Sequence, residues 1–172
     1  VYNTSGYERV ETLKNLEGIV DVYLPDFKYT DSTYAKRYSN APDYFDVTKA
    51  ALAEMVRQHP APQFTDKQEA AVRGIEEGIM TGGVIVRHLM LPGLLKDTKA
   101  VIRFNATYAI WEAAVLIICS APRYHDKIST HRLVARLTSS VLISSTSAIV
   151  ADCHSPPCIT IILYPIITHF GG

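Results

Sequence analysis

An α/β fold is what this sequence predicts, and three observations carry the prediction. Gly83 to Leu91 is a nearly continuous apolar run, with Val84, Ile85, Val86, Leu89 and Leu91, stopped by Pro92-Gly93. A run of that kind fits a strand covered on both faces, as in parallel sheets with helices outside. Ile19 to Leu24 is a second, β-branched run that ends at Pro25, where continued helix is disfavoured. Between and before these runs lie segments with apolar residues at helical spacing. Strand, helix, strand, helix, strand in that order implies right-handed crossovers.

Taken along the chain, Val1-Tyr2 reads as the end of a strand and Asn3-Thr4-Ser5-Gly6 as the loop after it. Glu8 to Leu16 places Val10, Leu13 and Leu16 near helical spacing, with Gly18 as the C-terminal cap. Asp31-Ser32 caps a short helix reaching about Tyr38, because their oxygens accept from orphaned backbone N–H groups. Phe45 to Gln58 puts Val47, Ala51, Leu52 and Met55 on one side of a longer helix. His59 to Lys67, with two prolines, reads as loop, and residues 68–79 as a helix ending near Gly82-Gly83. Ala113 to Ser120 is expected to be one more buried strand. The segment 138–172, rich in Ser, Thr and Ile and broken by Pro156-Pro157 and Pro165, is set apart as a poorly specified tail behind a domain of residues 1–137.

Composition narrows the function. The chain has 172 residues, enough for one domain with a real core. Lys+Arg and Asp+Glu balance at 17 each, so nothing in the overall charge points to nucleic acid or anionic lipid. Ile159 to Leu163 is far shorter than the roughly 20 apolar residues of a membrane-spanning helix. Cys119, Cys153 and Cys158 are odd in number and follow no secretory signal, which fits a reducing, cytoplasmic setting rather than a disulfide framework. Val1 is not an initiator Met, so a fragment or processed product is expected.

The chemistry concentrates in Val20-Asp21-Val22-Tyr23-Leu24-Pro25-Asp26-Phe27-Lys28-Tyr29. If the strand runs on past Pro25, alternation places Leu24, Asp26 and Lys28 on one face. Asp26 and Lys28 then stand together at the C-terminal end of a parallel strand, where α/β folds bind ligands. A carboxylate beside an ammonium complements a zwitterion: Asp26 accepts from an amino group while Lys28 meets a carboxylate. The plainer alternative is a solvated ion pair worth about 0–1 kcal/mol.

The strings Asn3-Thr4-Ser5-Gly6-Tyr7, Leu24-Pro25-Asp26-Phe27-Lys28-Tyr29 and Val86-Arg87-His88-Leu89-Met90-Leu91-Pro92-Gly93 resemble successive strand ends of radical S-adenosylmethionine (SAM) enzymes. The branch they are most similar to is that of the pyruvate formate-lyase activating enzyme. The resemblance covers residues 1 to about 100 and extends faintly through Leu116 to Leu137. It implies the C-terminal part of a partial (β/α) barrel of radical SAM type, with SAM across the C-terminal ends of the strands. Asp26 and Lys28 would hold its methionine part. Asn3 and Thr4 fall where activating enzymes carry an Asp-Thr pair near the same group and a monovalent cation; Asn for Asp removes a charge there. Arg87 and His88 lie on opposite strand faces. His88 is favoured for the barrel side, among Val84, Val86 and Met90, with a core histidine as the alternative; Arg87 covers the helix layer or meets a substrate carboxylate.

The same resemblance implies a [4Fe–4S] cluster held by Cys-x3-Cys-x2-Cys, and a Gly-Gly-Glu-Pro-like string, neither of which occurs in these residues. Cys119, Cys153 and Cys158 have the wrong spacing for cluster ligands. The implied parent would cleave SAM reductively to a 5′-deoxyadenosyl radical, with an electron donor and a protein substrate such as a glycyl radical enzyme as partners, while the chain alone is expected to be inactive. Two other readings stay open. One is an aldolase-like barrel fragment using Lys28 as a Schiff-base amine with Asp26 shuttling protons, which borohydride trapping would reveal. The other is a truncated, non-catalytic binding module. His125 and His131 lack a third metal ligand in sequence, and Gly78 to Gly83 lacks the Lys-Ser/Thr of a phosphate loop.

Overall fold

A computed structural model describes residues 1–91, 93–107, 114–120, 146–152 and 158–165. The elements in chain order are β1 (Tyr2–Thr4), α1 (Val10–Lys14), β2 (Val22–Pro25), α2 (Ser32–Ser39), α3 (Tyr44–Gln58) and β3 (Gln63–Phe64), then α4 (Lys67–Arg73), β4 (Met80–Met90), α5 (Leu95–Thr107), β5 (Ala114–Ser120), β6 (Thr146–Asp152) and β7 (Cys158–Pro165). The sheet runs β1-β2-β4-β5-β7-β6, with β3 laid against β4. β1, β2, β4 and β5 are mutually parallel, each joined to the next through helix. β7 and β6 extend the sheet antiparallel beyond β5. Two segments that composition alone left unassigned, 146–152 and 158–165, are therefore strands.

Burial alternates from Tyr23 to Tyr29 and from Val84 to Leu89, and that alternation defines two faces. Thr4 of β1, Tyr23 and Pro25 of β2, and Val84, Val86 and His88 of β4 are buried. Tyr23, Val84 and Val86 meet Leu13 of α1, Ala35 of α2, Tyr44, Ala51, Leu52 and Met55 of α3, and Val101 of α5 in one core. Phe27 anchors this core, stacked with Phe45 at 6.0 Å and edge-on to Phe104 at 5.4 Å. The alternate positions, Asn3, Leu24, Asp26, Lys28, Ile85, Arg87 and Leu89, are only partly covered or exposed. Among the described residues the helices thus pack the face of Tyr23, Val84 and Val86, and the face of Leu24, Asp26 and Arg87 is left only partly covered.

Local chemistry explains the helix ends. Asp31 accepts from the Thr33 N–H at 2.7 Å to start α2, a bond that holds the Asp31 carboxyl below its usual range. Asp66 accepts from the Glu69 N–H at 2.8 Å to start α4. That helix stops at Gly74, which takes a left-handed φ of 65°. Glu54 of α3 accepts from Arg57 and from Gln58, and the Arg57 bonds lead in drawing its carboxyl down to about 2. Gln58 in turn donates to the Leu13 carbonyl at 2.9 Å and accepts from the Tyr23 hydroxyl at 2.6 Å, tying α1, α3 and β2 at one end of the sheet.

Three differences from the sequence expectation have physical causes. The helix expected over 68–79 ends seven residues into the observed α4 at Arg73, because Gly74 caps it. β4 begins at Met80, so Gly82-Gly83 lie inside a strand rather than after a helix. Gly83 needs its lack of a side chain: φ is +135°, and a Cβ there would come within 2.4 Å of Met80 Cε and 3.1 Å of Pro62 Cα. Residues 63–64, expected as loop, pair with β4 and bring Pro62 to that glycine. Among the described residues no helix is long and apolar enough to cross a membrane.

Candidate functional site

β1, β2 and β4 end at the same edge of the sheet, and their parallel register decides which side chains meet. Asn3 pairs with Leu24, and Asp26 forms an isolated parallel bridge with Arg87. Asp26, two residues beyond Leu24, therefore projects from the same face as Asn3 and Arg87. On that open face Asp26 is gripped twice. Arg87 Nε donates to Asp26 Oδ1 at 2.5 Å, and Lys28 Nζ lies 3.3 Å from Asp26 Oδ2. Arg87 Nη2 also donates to Asn3 Oδ1 at 3.1 Å. One carboxylate, two cations and an amide thus form a chain across three strand ends, with a formal charge of +1. The carboxylate is the more enclosed member, its side chain 17% exposed against 32% for Lys28.

Chemically, this arrangement suits a small ligand carrying both charges. Lys28 has three donors and Arg87 five, more than Asp26 and Asn3 occupy. The excess positive charge fits a carboxylate. Each Asp26 oxygen keeps lone-pair capacity for an ammonium group. Leu24, Ile85 and Leu89 continue the same partly exposed face and give an apolar surface beside the ionic one.

The backbone that carries Asp26 and Lys28 is held by hydrogen bonds from Asp26 N–H through Lys28 N–H. The Asp26 N–H donates to the Thr4 carbonyl at 2.9 Å and the Phe27 N–H to the Arg87 carbonyl at 2.8 Å. The Tyr44 hydroxyl lies 2.8 Å from the Ser5 carbonyl and 3.0 Å from the Asp26 carbonyl, and accepts the Lys28 N–H at 3.1 Å. Burial pushes the Tyr44 phenol up to about 12, so it remains a donor near neutrality. Just beyond, one Asp97 carboxylate oxygen of α5 accepts from the Thr30 N–H at 3.0 Å and the Asp31 N–H at 3.1 Å, and from the Thr30 hydroxyl. Gly6 closes the other side: φ is +78°, and a Cβ there would sit 2.1 Å from the Asp26 carbonyl oxygen.

His88 and Thr4 are not part of this cluster. His88 is buried on the helix-packed face, with Nδ1 2.7 Å from the Phe27 carbonyl and Nε2 3.1 Å from Thr98 Oγ1. A carbonyl only accepts, so Nδ1 carries the proton and Nε2 accepts from Thr98. Burial holds the imidazole below its ordinary range, toward the neutral form. Arg87 and His88 thus lie on opposite faces as expected: His88 sits with Val84 and Val86 as a core histidine rather than on the cluster's side, and Arg87 lies beside Asp26 rather than over the helix layer. Thr4 is also buried; its hydroxyl donates to Glu8 Oε1 and accepts the Gly6 N–H at 3.3 Å, shaping the loop after β1. Asn3 alone of that pair reaches the cluster.

Tyr44, Gly6, Asp97 and Thr98 support the site and were not singled out by sequence. Only the Asn-Thr-Ser-Gly string hinted at Gly6; Tyr44 and Asp97 act across 39 and 67 residues, which no local pattern encodes, and Thr98 reaches the site only through His88. Among the described residues no group of three His, Cys, Asp or Glu side chains is placed to hold a metal ion. His125, His131 and Cys153 lie outside the described residues.

No family model matches the chain, and no solved structure matches it. A stretch of 49 residues is 43% identical to an uncharacterized protein of Methanocaldococcus jannaschii. The match covers 28% of this chain and 14% of that protein, so the chain spans a small part of the relative's length.

Proposed function

We propose that residues 1–137 are the C-terminal part of a partial (β/α) barrel of the radical SAM type, and that the open face at the ends of β2 and β4 holds the methionyl end of S-adenosylmethionine. The observation that carries this reading is the double ion pairing of Asp26 by Lys28 and Arg87 on that face. Its residues fit the group: Lys28 and Arg87 receive the carboxylate, Asp26 accepts from the amino group, and Asn3 orients Arg87. Leu24 and Ile85 would offer an apolar surface to the methylene chain between that group and the sulfonium. When bound beside a reduced cluster, SAM supplies a 5′-deoxyadenosyl radical for hydrogen abstraction.

The iron–sulfur cluster itself does not fit the described residues, which bring no suitable ligand group together. Its cysteines would belong to a preceding segment of a longer parent, and β1, at one edge of the sheet, is where such a segment would pair. The parent would work in the cytoplasm with an electron donor and a protein substrate such as a glycyl radical enzyme.

Titrating SAM into the full-length protein by calorimetry tests the site. Asp26→Ala and Lys28→Ala are each expected to weaken binding by tenfold or more, the scale of a lost charge-assisted contact. Unchanged affinity in both variants would sink the assignment.

A further inference from the structure

The Tyr44 hydroxyl stands at a junction that the ion pairs do not explain. A single phenolic oxygen reaches the Ser5 carbonyl, the Asp26 carbonyl and the Lys28 N–H, at 2.8, 3.0 and 3.1 Å. A phenol has one proton to give and lone pairs to receive, so it shares its proton between two carbonyls and takes the third bond as acceptor. The oxygen thus joins the loop after β1 to both sides of Phe27, the residue between the two charged ones. The ring is itself fixed: it stacks on Tyr7 with centroids 5.9 Å apart and planes at 5°, and meets Tyr29 edge-on at 5.6 Å. Asp43 anchors Tyr7 by accepting its hydroxyl at 2.6 Å.

We infer that Tyr44 is a positioning residue for the ligand cradle: its hydroxyl sets the spacing and direction of Asp26 and Lys28 by clamping the backbone between them to the loop after β1. The inference takes its ligand from the proposed function. Removing the hydroxyl leaves the Asp26 and Ser5 carbonyls and the Lys28 N–H without that partner. The segment then relaxes, and the two charges no longer hold one geometry. Even a small relaxation reaches recognition, because a binding constellation tolerates only about half an ångström of displacement.

Tyr44→Phe keeps both ring contacts and removes only the oxygen. Tyr23→Phe is the control, since it removes a hydroxyl bonded to Gln58 at the opposite end of the same strand. Two readouts are taken on the full-length protein: amide hydrogen exchange at Lys28 relative to Val84, and SAM affinity. In Tyr44→Phe, Lys28 exchange is expected to accelerate and SAM binding to weaken, each by about tenfold, the scale of one net hydrogen bond. Tyr23→Phe is expected to change neither ratio, although it too lowers thermal stability. Should Tyr44→Phe not fold, Tyr7→Ala serves, because Tyr7 is an exposed residue whose loss frees the Tyr44 ring; it is expected to move both readouts the same way.

Unchanged Lys28 exchange in the variant overturns the clamp, whatever SAM does. Faster exchange with wild-type affinity overturns the positioning role and leaves the hydroxyl a structural one. A wild-type protein that does not bind SAM overturns the proposed function instead, and the exchange ratio then decides for or against the clamp by itself.

Discussion

Arg87 and Asp26 are 61 residues apart in sequence, and their side chains meet at 2.5 Å from opposing positions of a parallel bridge. The register of β2 against β4 places them, and their charges then add to the pairing of the strands. Because Asp26 is mostly covered, its ion pairs belong between two regimes. Exposed pairs contribute about 0–1 kcal/mol, and breaking a buried pair costs about 3–5 kcal/mol.

Asp26→Asn is therefore expected to destabilise the fold by about 1–3 kcal/mol in urea unfolding, within those limits. A double-mutant cycle should give a larger coupling energy for Asp26 with Arg87 than with Lys28, since the first pair is shorter and better aligned. Equal couplings would show that the two cations are interchangeable and that the bridge geometry has no energetic consequence.

The neutral state of His88 has a measurable signature. In the unfolded chain the imidazole titrates near 6.5, while in the fold burial keeps it lower. The unfolded state then takes up the proton first, so this contribution is complete above about pH 6.5 and declines as pH falls toward the lower folded value. His88→Gln is expected to lose about 1–3 kcal/mol at pH 7.5 through its unmatched buried partners. It should also lose less further stability than wild type between pH 7.5 and pH 5.5. A parallel decline in both proteins would place the acid sensitivity elsewhere.

Gly6 and Gly18 share nearly the same left-handed backbone, with φ of +78° and +76°, yet differ in surroundings. Gly18 has nothing within 4 Å of a built Cβ, so Gly18→Ala should cost only the conformational term, about 1–2 kcal/mol. Gly6→Ala meets the Asp26 carbonyl as well, and the backbone itself must move. It is expected to cost clearly more in thermal unfolding and to weaken SAM binding, which Gly18→Ala leaves intact. Matching effects of the two substitutions would show that the loop after β1 has room to spare.

Much of the local structure was legible in sequence. Asp31 does cap its helix, Phe45 to Gln58 lies within α3, and all but the last residue of the apolar run Gly83 to Leu91 lies within β4, because each is encoded by short-range chemistry. Alternation past Pro25 also placed Asp26 and Lys28 together, since a period of two survives the end of regular pairing. The same rule put Arg87 and His88 on opposite faces but left open which layer each one met. Val84 and Val86 mark a buried position but cannot say whether a barrel interior or a helix layer buries them; the aromatic packing of Phe27, Phe45 and Phe104 decides for the helices. α5, from Leu95 to Thr107, was not anticipated at all, having Lys, Asp and Thr through its first turn. Asp97 and Thr98 in that turn are committed to Thr30, Asp31 and His88, contacts that exist only once the elements have met.

The alternation along β4 has a consequence for how this chain can change. Core and cradle are interleaved residue by residue, so neighbouring codons answer to different requirements. Drift at Ile85, Arg87 or Leu89 can retune what the surface recognises while Val84, Val86 and His88 go on specifying the same scaffold. A single frame of eleven residues thereby holds two nearly independent texts, one read by folding and the other by whatever binds.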